Sequence, residues 1–394
     1  MGMISVTENY LGWKGVMMKD FFRRCAIILT MCAMILCLNA CDWAGRRSAK
    51  AETVSATVIE IEKYGHAVLD MTTAAFTDCG YALGDVVCVR FGSYESDMPF
   101  FDGYYTNPGS VMLRGLSAEE NIAVCINYGD FSKENGIEIG DTVEICLVEK
   151  AGMLAVQELC ALTYSNDRAD YADDAVYANF RAVTAGSIGE GKLYRSASPI
   201  NNKHGRAGYA NDFIQAAGVN TVLNLADSDE DIAEYFAAED FDSAYYRSLY
   251  ESGKVMALDL AGNFFADEFA ASMVEGLRFL AKNEPPYSIH CTEGKDRAGF
   301  ASMLLEALMG ATLQEIIDDY MLTFYNYYGI DKETEPERYE AVLSNNLVAI
   351  LCHVTGAESM EMLEQIDLEA AVTNYLIRHG MTETEIFMLK EKLS

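Results

Sequence analysis

The chain has 394 residues, of which 60 are acidic and 29 are Lys or Arg, giving a formal net charge of −31 at pH 7. A chain this acidic repels nucleic acids and anionic lipid surfaces at long range, so neither is expected as a partner through the overall electrostatic field. A phosphate ligand would need a local cluster of positive charge instead. Hydrophobic residues make up 51% of the chain, and its length predicts two domains plus a targeting segment.

The N-terminal segment has the composition of a secretion signal. Basic residues precede an apolar stretch over residues 25–38, which is short for a helix that crosses a bilayer. The Leu-Asn-Ala-Cys sequence that ends at Cys41 resembles the lipobox of bacterial lipoproteins, in which the cysteine is lipidated. We therefore predict a signal peptide over residues 1–40 and an extracytoplasmic protein that lipid on Cys41 anchors to the bacterial cell membrane. An ordinary signal peptide or an anchor helix is the alternative.

We predict a small mainly-β domain over residues 53–165. Short β-branched or alternating segments are separated there by glycine turns, a pattern typical of a small barrel or sandwich. The segment carries no catalytic pattern, so we interpret it as a spacer or binding domain of unknown role. Residues 166–174 are polar and acidic and are predicted to link it to the next domain. The predicted strands are 53–61, 85–91, 121–127 and 141–150.

We predict a second domain of the α/β class over residues 175–394. Strand-like and helical segments alternate in it, which indicates a mainly parallel sheet flanked by helices. Capping boxes predict further helices that start at Thr312 and Thr382. An aromatic cluster over 320–328 is interpreted as core packing, with a substrate-facing lid as the alternative. The predicted elements are strands 219–225, 255–260 and 287–290, and helices 208–217, 229–240, 264–282, 300–309 and 313–326.

The most informative segment is 290–299, with the sequence His-Cys-Thr-Glu-Gly-Lys-Asp-Arg-Ala-Gly. It follows a strand-like stretch and precedes a helical one, so it lies beyond the carboxyl end of a strand, where ligands bind in parallel sheets. The backbone N–H groups of such a loop and the following helix N-terminus attract anions. Only a thiolate is a good nucleophile, and this surrounding favours it at Cys291. The pattern predicts a reactive thiol that faces a bound anion.

This segment resembles the phosphate-binding loop of the cysteine-dependent protein tyrosine phosphatases, in which His-Cys is followed by five residues and Arg. Its Gly-Lys-Asp-Arg core is similar to that of the bacterial tyrosine and dual-specificity phosphatases, some of which accept phosphoinositides. The segments 179–181 (Asn-Phe-Arg), 193–197 (Leu-Tyr-Arg-Ser-Ala) and 218–225 are similar to the opening and first core strand of that branch.

The resemblance implies an enzyme that hydrolyses phosphate monoesters through a cysteinyl-phosphate intermediate. A phosphorylated protein that carries phosphotyrosine is the expected substrate, and a phosphoinositide or inositol phosphate is the alternative. A phosphate-binding module that has lost turnover is the competing interpretation. The resemblance implies no metal and no cofactor, and the five histidines of the chain show no metal-ligand spacing.

The resemblance also implies roles within the loop. Cys291 would be the nucleophile, and Arg297 would hold two phosphate oxygens and stabilise their charge in the transition state. His290 would orient the loop and tune the thiol, while Gly294 permits a turn that a Cβ would obstruct. The substrate-binding candidates are Thr292, Glu293, Gly294, Lys295, Ala298 and Gly299.

Two carboxylates are candidates for the general acid that protonates the leaving oxygen. In the resembling branch this acid is the aspartate directly before the arginine, here Asp296. Other tyrosine phosphatases place it on a separate upstream loop, and Asp259 lies 32 residues before Cys291. Both residues stay candidates at this point.

Two positions depart from the resembling branch. Ala298 stands where relatives carry a Ser or Thr whose hydroxyl assists release of the thiolate, so the second step is predicted to be slow. The segment 225–227 (Leu-Ala-Asp) replaces the usual Leu-Arg and polar residue. The cysteines after residue 41 lack the spacing of a disulfide scaffold, although the sequence allows one disulfide in the first domain.

Overall fold

The structure, a computed structural model, describes residues 53–238 and 243–394. These two ranges belong to one compact unit. The predicted signal segment with Cys41, and the end of the helix predicted over 229–240, lie outside the described residues. Within the two ranges, no helix combines the length and apolar character needed to cross a membrane.

Seven strands of the N-terminal part close into a β-barrel: β1 (Val54–Ile61), β2 (Ala67–Thr72), β3 (Val86–Phe91), β4 (Tyr94–Phe101), β5 (Val111–Arg114), β6 (Asn121–Ile126) and β7 (Thr142–Glu149). Their order around the barrel is β1-β2-β6-β5-β4-β3-β7, and β7 pairs with β1 to close it. All neighbouring strands are antiparallel except β4 and β5. Inward-facing apolar side chains from these strands form a core of their own.

The four strands predicted in this region are present, each with bounds shifted by at most one residue at either end. The sequence pattern does not indicate β2, β4 and β5. β4 contains Glu95, Asp97 and Pro99, and β5 has only four residues, so neither shows a run of β-forming residues. Three short helices accompany the barrel: α1 (Thr73–Asp78), α2 (Phe131–Asn135) and α3 (Leu154–Cys160).

The second sheet has five strands: β8 (Arg181–Ala182), β9 (Leu193–Ser196), β10 (Thr221–Asn224), β11 (Val255–Ala257) and β12 (Tyr287–His290). Their order is β11-β10-β12-β9-β8, and only β8 runs antiparallel to its neighbour. β12 lies in the middle and is buried throughout. Its last residue, His290, is in register with Asn224 of β10 and Ser196 of β9, so three parallel strands end together beneath Cys291.

Helices surround this sheet: α4 (Asp174–Tyr177), α5 (Ala207–Ala216), α6 (Asp229–Ala238), α7 (Ala244–Glu251), α8 (Asp267–Lys282), α9 (Asp296–Leu308), α10 (Leu313–Tyr328), α11 (Pro336–Leu343), α12 (Ala349–Thr355), α13 (Met360–Leu363), α14 (Leu368–Arg378) and α15 (Glu383–Leu393). A 3₁₀ turn spans Arg168–Asp170, and a π-helical turn spans Ser344–Val348. α9 is buried on all sides from Ala298 onward, which explains its lack of a polar face.

Some predicted bounds in this part are corrected. The strand predicted over 255–260 ends at Ala257, because Asp259 adopts a left-handed conformation with φ +48° that breaks the extended run. The helix predicted from residue 264 begins at Asp267, after an extended Ala266. The helix predicted from residue 300 begins earlier, at Asp296, so its first turn belongs to the loop. The capping boxes at Thr312 and Thr382 are confirmed.

The barrel packs against the second domain on the side where the parallel strands end. The ring of Tyr128 lies 4.9 Å from that of Phe264 and 5.0 Å from that of Phe265, between ring centroids. The Arg338 guanidinium on α11 donates a 3.0 Å hydrogen bond to the carbonyl oxygen of Leu159 on α3. The seven cysteines of the described residues are all free in this structure.

Candidate active site

The segment 290–299 forms a tight loop between β12 and α9. Cys291 follows β12 directly, and only 3% of its surface is exposed. Gly294 has φ +69°, and a Cβ at that position would lie 2.3 Å from the carbonyl oxygen of Ser196. A side chain would therefore be both strained and in collision with backbone, so only glycine fits this turn. The turn brings the loop back over Cys291 to the N-terminus of α9, the positive end of its dipole.

Side chains outside the loop hold its carbonyl groups. Arg195 donates from one guanidinium nitrogen to the carbonyl oxygens of Gly294, at 2.8 Å, and Lys295, at 3.1 Å. The Asn179 amide donates to the carbonyl oxygens of Glu293 and Gly294, each at 3.3 Å. A trans peptide places its N–H opposite its C=O. With these carbonyls engaged by the scaffold, the N–H groups of the same peptides turn to the other side, where an anion can be bound.

An ionic network behind the loop holds Arg195 in place. Asp319 on α10 contacts Nε of Arg181 at 2.7 Å and a terminal nitrogen of Arg195 at 2.6 Å. Burial favours the neutral acid, but the two guanidinium groups outweigh it and lower the pKa of Asp319. Burial and the neighbouring Asp319 raise the pKa of Glu306 well above its ordinary value. The network therefore pairs two cations with the Asp319 carboxylate and favours the neutral form of Glu306.

The sequence pattern does not single out three residues of α10 that support the loop. Asp319, Thr323 and Tyr327 are spaced by four and therefore lie on one face of the helix. Thr323 accepts a 3.2 Å hydrogen bond from the Asn179 amide, and the Tyr327 hydroxyl donates to the Glu293 carbonyl oxygen at 2.7 Å. In the sequence, these three residues are marked by their spacing of four. Ordinary core packing of a helix produces the same spacing. Tyr327 belongs to the aromatic cluster over 320–328, and it is buried.

Arg297, in the first turn of α9, lies near enough to Cys291 to be affected by its charge. Its guanidinium donates to the Leu260 carbonyl oxygen at 2.9 Å and to the Thr292 hydroxyl at 3.2 Å. Burial opposes its charge, but Cys291 and, more weakly, Tyr64 and nearby carboxylates raise the pKa of Arg297. The structure therefore brings a thiol, a guanidinium and a set of backbone N–H groups to one place.

His290 is fully buried under the loop. Burial, with the positive charge of Arg297 nearby, lowers the pKa of His290 to about 3, so the imidazole is neutral near neutral pH. Its Nε2 lies 3.4 Å from the Tyr246 hydroxyl, which accepts a 3.1 Å hydrogen bond from the Asn224 amide. A neutral ring held by packing orients its neighbours and does not exchange protons near neutral pH.

A model of the tyrosine phosphatase family matches residues 177–394. The chain belongs to the tyrosine phosphatase family. This confirms the family that the loop sequence predicts and supports phosphatase activity. The barrel lies outside the matched residues.

Other comparisons add little to this assignment. No curated protein matches the chain. Among solved structures, the chain is 24% identical to an uncharacterised conserved protein from Thermotoga maritima, with 24% of this chain and 36% of that chain covered and a TM-score of 0.23. It is 17% identical to the core catalytic domain of the PP-IP phosphatase SIW14 from S. cerevisiae in complex with citrate, with 42% of this chain and 91% of that chain covered and a TM-score of 0.25. The chain thus spans little more than a third of the Thermotoga protein.

Lys295 is engaged by its own loop. Its ammonium lies 3.4 Å from a Glu293 carboxylate oxygen, 3.8 Å from one of Asp296 and 3.1 Å from the Tyr328 hydroxyl. Burial opposes the charge, but Asp296, Tyr328 and Glu293 together raise the pKa of Lys295 well above its ordinary value. Burial raises the pKa of Glu293, but Lys295 and a hydrogen bond from Tyr164 outweigh it and lower that pKa. The Lys295 ammonium and the Glu293 carboxylate therefore form an ion pair within the loop.

The two candidate acids have different surroundings. Asp296 is the first residue of α9, and 45% of its side chain is exposed. Burial disfavours the charged carboxylate and raises the pKa of Asp296. Asp259 lies in the loop after β11 and forms an ion pair with Lys63 of the barrel. The surroundings of Asp296 are thus those that help a carboxyl to keep a proton.

Asp227 is a further buried acid beside the loop. One of its carboxylate oxygens accepts a 3.3 Å hydrogen bond from the Tyr235 hydroxyl, and the other has no partner within the described residues. Burial raises the pKa of Asp227, and the positive charge of Arg297 opposes this rise. The residue belongs to the 225–227 segment in which the sequence departs from the resembling branch.

A cavity of about 400 Å³ lies between the barrel and the α/β part of the fold. Lys295, Asp296 and Arg297 line its α/β side, and the barrel lines the other. Across the described residues, no cluster of three or more His, Cys, Asp or Glu side chains could hold a metal ion.

Proposed function

We propose that the protein hydrolyses phosphate monoesters through a cysteinyl-phosphate intermediate, with phosphotyrosine in a protein as the substrate. The observation that carries this is the position of Cys291 beside Arg297, inside a loop whose carbonyls the scaffold engages. Backbone N–H groups and the guanidinium would hold the phosphate oxygens and stabilise the charge that develops on them. Arginine suits this task because its planar fork can contact two oxygens at once.

In the first step, the Cys291 thiolate attacks phosphorus while the bond from phosphorus to the leaving oxygen breaks. Asp296 donates its proton to that oxygen, so the alcohol or phenol leaves neutral. In the second step, water attacks the phosphocysteine and gives a proton back to Asp296, and the S–P bond breaks to return the thiolate. His290 would act as a positioning residue for the loop.

Phosphotyrosine is favoured over a phosphoinositide by the charges around the loop. A substrate with several phosphates needs several free cations. Lys295 is engaged by Glu293 and Asp296, and Lys63 is paired with Asp259. Among the described residues near Cys291, Arg297 is the cation left for a phosphate group, which suits a single phosphate on an otherwise uncharged ring.

The anchored location remains a proposal from the sequence of residues 25–41. Lipid on Cys41 would hold the full chain on the outer face of the cell membrane, near extracytoplasmic phosphoproteins. Detergent phase partition of the full chain expressed in a bacterium tests this. The wild type is expected in the detergent phase and Cys41→Ser in the aqueous phase; equal partition of the two would exclude lipid on Cys41.

Hydrolysis of p-nitrophenyl phosphate and of a phosphotyrosyl peptide tests the activity. Cys291→Ser is expected to lose both activities, since serine is a far weaker nucleophile at this site. Cys352→Ser, at a half-buried cysteine on α12, is the matched control and should keep them. Turnover that survives Cys291→Ser would refute the mechanism. A higher kcat/KM for phosphoinositides or inositol phosphates than for the peptide would refute the substrate.

A further inference from the structure

We propose that the barrel forms one wall of the substrate pocket and receives the aromatic ring of the leaving group, through Tyr64 and Tyr128. The inference rests on the proposed phosphatase function and deepens it. It assigns substrate selection to a part of the chain that lies outside residues 177–394, which match the family.

The position of the shared cavity is the first observation that supports this proposal. Asp296 and Arg297 line it, so it begins at the groups proposed to hold the phosphate and to protonate the leaving oxygen. The leaving group must extend away from the phosphate on the side of the acid, and Asp296 lines this cavity. Its volume of about 400 Å³ is in the usual range for pockets that hold small ligands.

The residues that line the cavity are the second observation that supports it. Barrel residues contribute the rings of Tyr64, Tyr104 and Tyr128, and the phosphatase domain contributes those of Phe264, Phe324 and Tyr328. Aromatic rings pack well edge-on or offset against another ring, so this lining suits a phenyl leaving group better than an aliphatic one.

Tyr128 and Tyr64 are two barrel tyrosines near the proposed catalytic groups. Tyr128 is held in a left-handed conformation, φ +56°, which a non-glycine residue adopts only where its surroundings impose it. Burial and the nearby Asp296 raise the pKa of Tyr128, so its hydroxyl lies in the field of the proposed acid. Tyr64 is near enough to Arg297 to affect the pKa of that guanidinium. The adjacent Lys63 ties the turn to the phosphatase domain through Asp259.

Calorimetric binding of two phosphonates to the full chain tests the proposal. Benzylphosphonate carries a ring and methylphosphonate does not, and neither is hydrolysed. The wild type is expected to bind benzylphosphonate about tenfold more tightly or better. Tyr64→Leu and Tyr128→Leu should each reduce this ratio about threefold to tenfold, because they remove a ring contact. Tyr325→Leu is the matched control, since Tyr325 is 54% exposed on α10 and should leave the ratio unchanged.

Tyr128→Phe, which keeps the ring, should retain the wild-type ratio. Equal affinities of the wild type for the two phosphonates would overturn the proposal, as would an unchanged ratio in both leucine variants. Loss of the ratio in Tyr128→Phe would also overturn it, since the effect would then come from the hydroxyl or from the fold. Binding needs no turnover, so a failure of Cys291-dependent hydrolysis is distinguished from a failure of this proposal.

Discussion

Lys63, in the turn between β1 and β2, forms an ion pair with Asp259, in the loop that follows β11. The two side chains are 42% and 47% exposed, and pairs this exposed usually contribute about 1 kcal/mol or less. The contact therefore positions the barrel turn and the Asp259 loop more than it stabilises the fold. It also occupies one of the two candidate acids, and the other, Asp296, lines the shared cavity.

Asp296→Asn is expected to lower kcat/KM about 10²-fold or more for phenyl phosphate, whose leaving group is poor and needs a proton. The loss for p-nitrophenyl phosphate should be much smaller. The wild-type kcat/KM should also fall as pH rises through the raised pKa of Asp296, because the acid must be protonated in the first step, and the variant should lack this alkaline limb. Steady-state kinetics against pH with both substrates measure these effects. Asp259→Asn is the matched control, and the reverse pattern would make Asp259 the acid.

Gly294→Ala is expected to abolish binding of vanadate, a phosphate analogue, and to lower the melting temperature. The new Cβ would meet the Ser196 carbonyl oxygen in addition to the cost of a left-handed alanine, which is about 1–2 kcal/mol. Gly329→Ala is the matched control, since Gly329 has φ +68° but no atom within 4 Å of an added Cβ. Calorimetry and thermal unfolding compare the two. Equal losses would mean that the loop relaxes around the methyl group.

The wild type is expected to release a burst of p-nitrophenol equal to the enzyme concentration, followed by slow turnover. Ala298 lacks the hydroxyl that the resembling branch uses to help the thiolate leave, so the second step should limit the rate. Ala298→Ser should shorten or remove the burst and raise kcat. Ala301→Ser, at an equally buried alanine on α9, controls for the added hydroxyl. Stopped-flow absorbance measures this, and linear release from time zero in the wild type would contradict it.

Glu62→Gln is expected to remove an acid-sensitive part of the stability. Burial raises the pKa of Glu62, but hydrogen bonds from His66 and Arg114 outweigh it and lower the pKa from 4.5 to about 2. A lowered carboxyl pKa contributes stability that is fully present above pH 4.5 and is lost as pH falls toward 2, by at most about 3 kcal/mol. Urea unfolding at several pH values measures it. Glu60→Gln, on the exposed side of β1, is the control, and matching pH curves for the two variants would contradict the prediction.

The sequence alone determined the family and the centre of the candidate site. Cys291, Gly294 and Arg297 lie within seven consecutive residues, so the loop geometry depends on local backbone constraints that a short motif records. The alternation of strands and helices between residues 219 and 290 is likewise a local signal, because each element shows its own hydrophobic period. The capping boxes at Thr312 and Thr382 are local sequence signals as well.

Tertiary structure decided what surrounds this loop. The contacts of Tyr327 with Glu293 and of Asp319 with Arg195 join residues that are far apart in the chain, and a helical face looks the same whether it supports a loop or fills a core. The Lys63–Asp259 pair and the cavity shared with the barrel arise only when two domains pack. Hydrophobic periodicity records that a face is buried but not which partner covers it, so these relationships are absent from any local pattern.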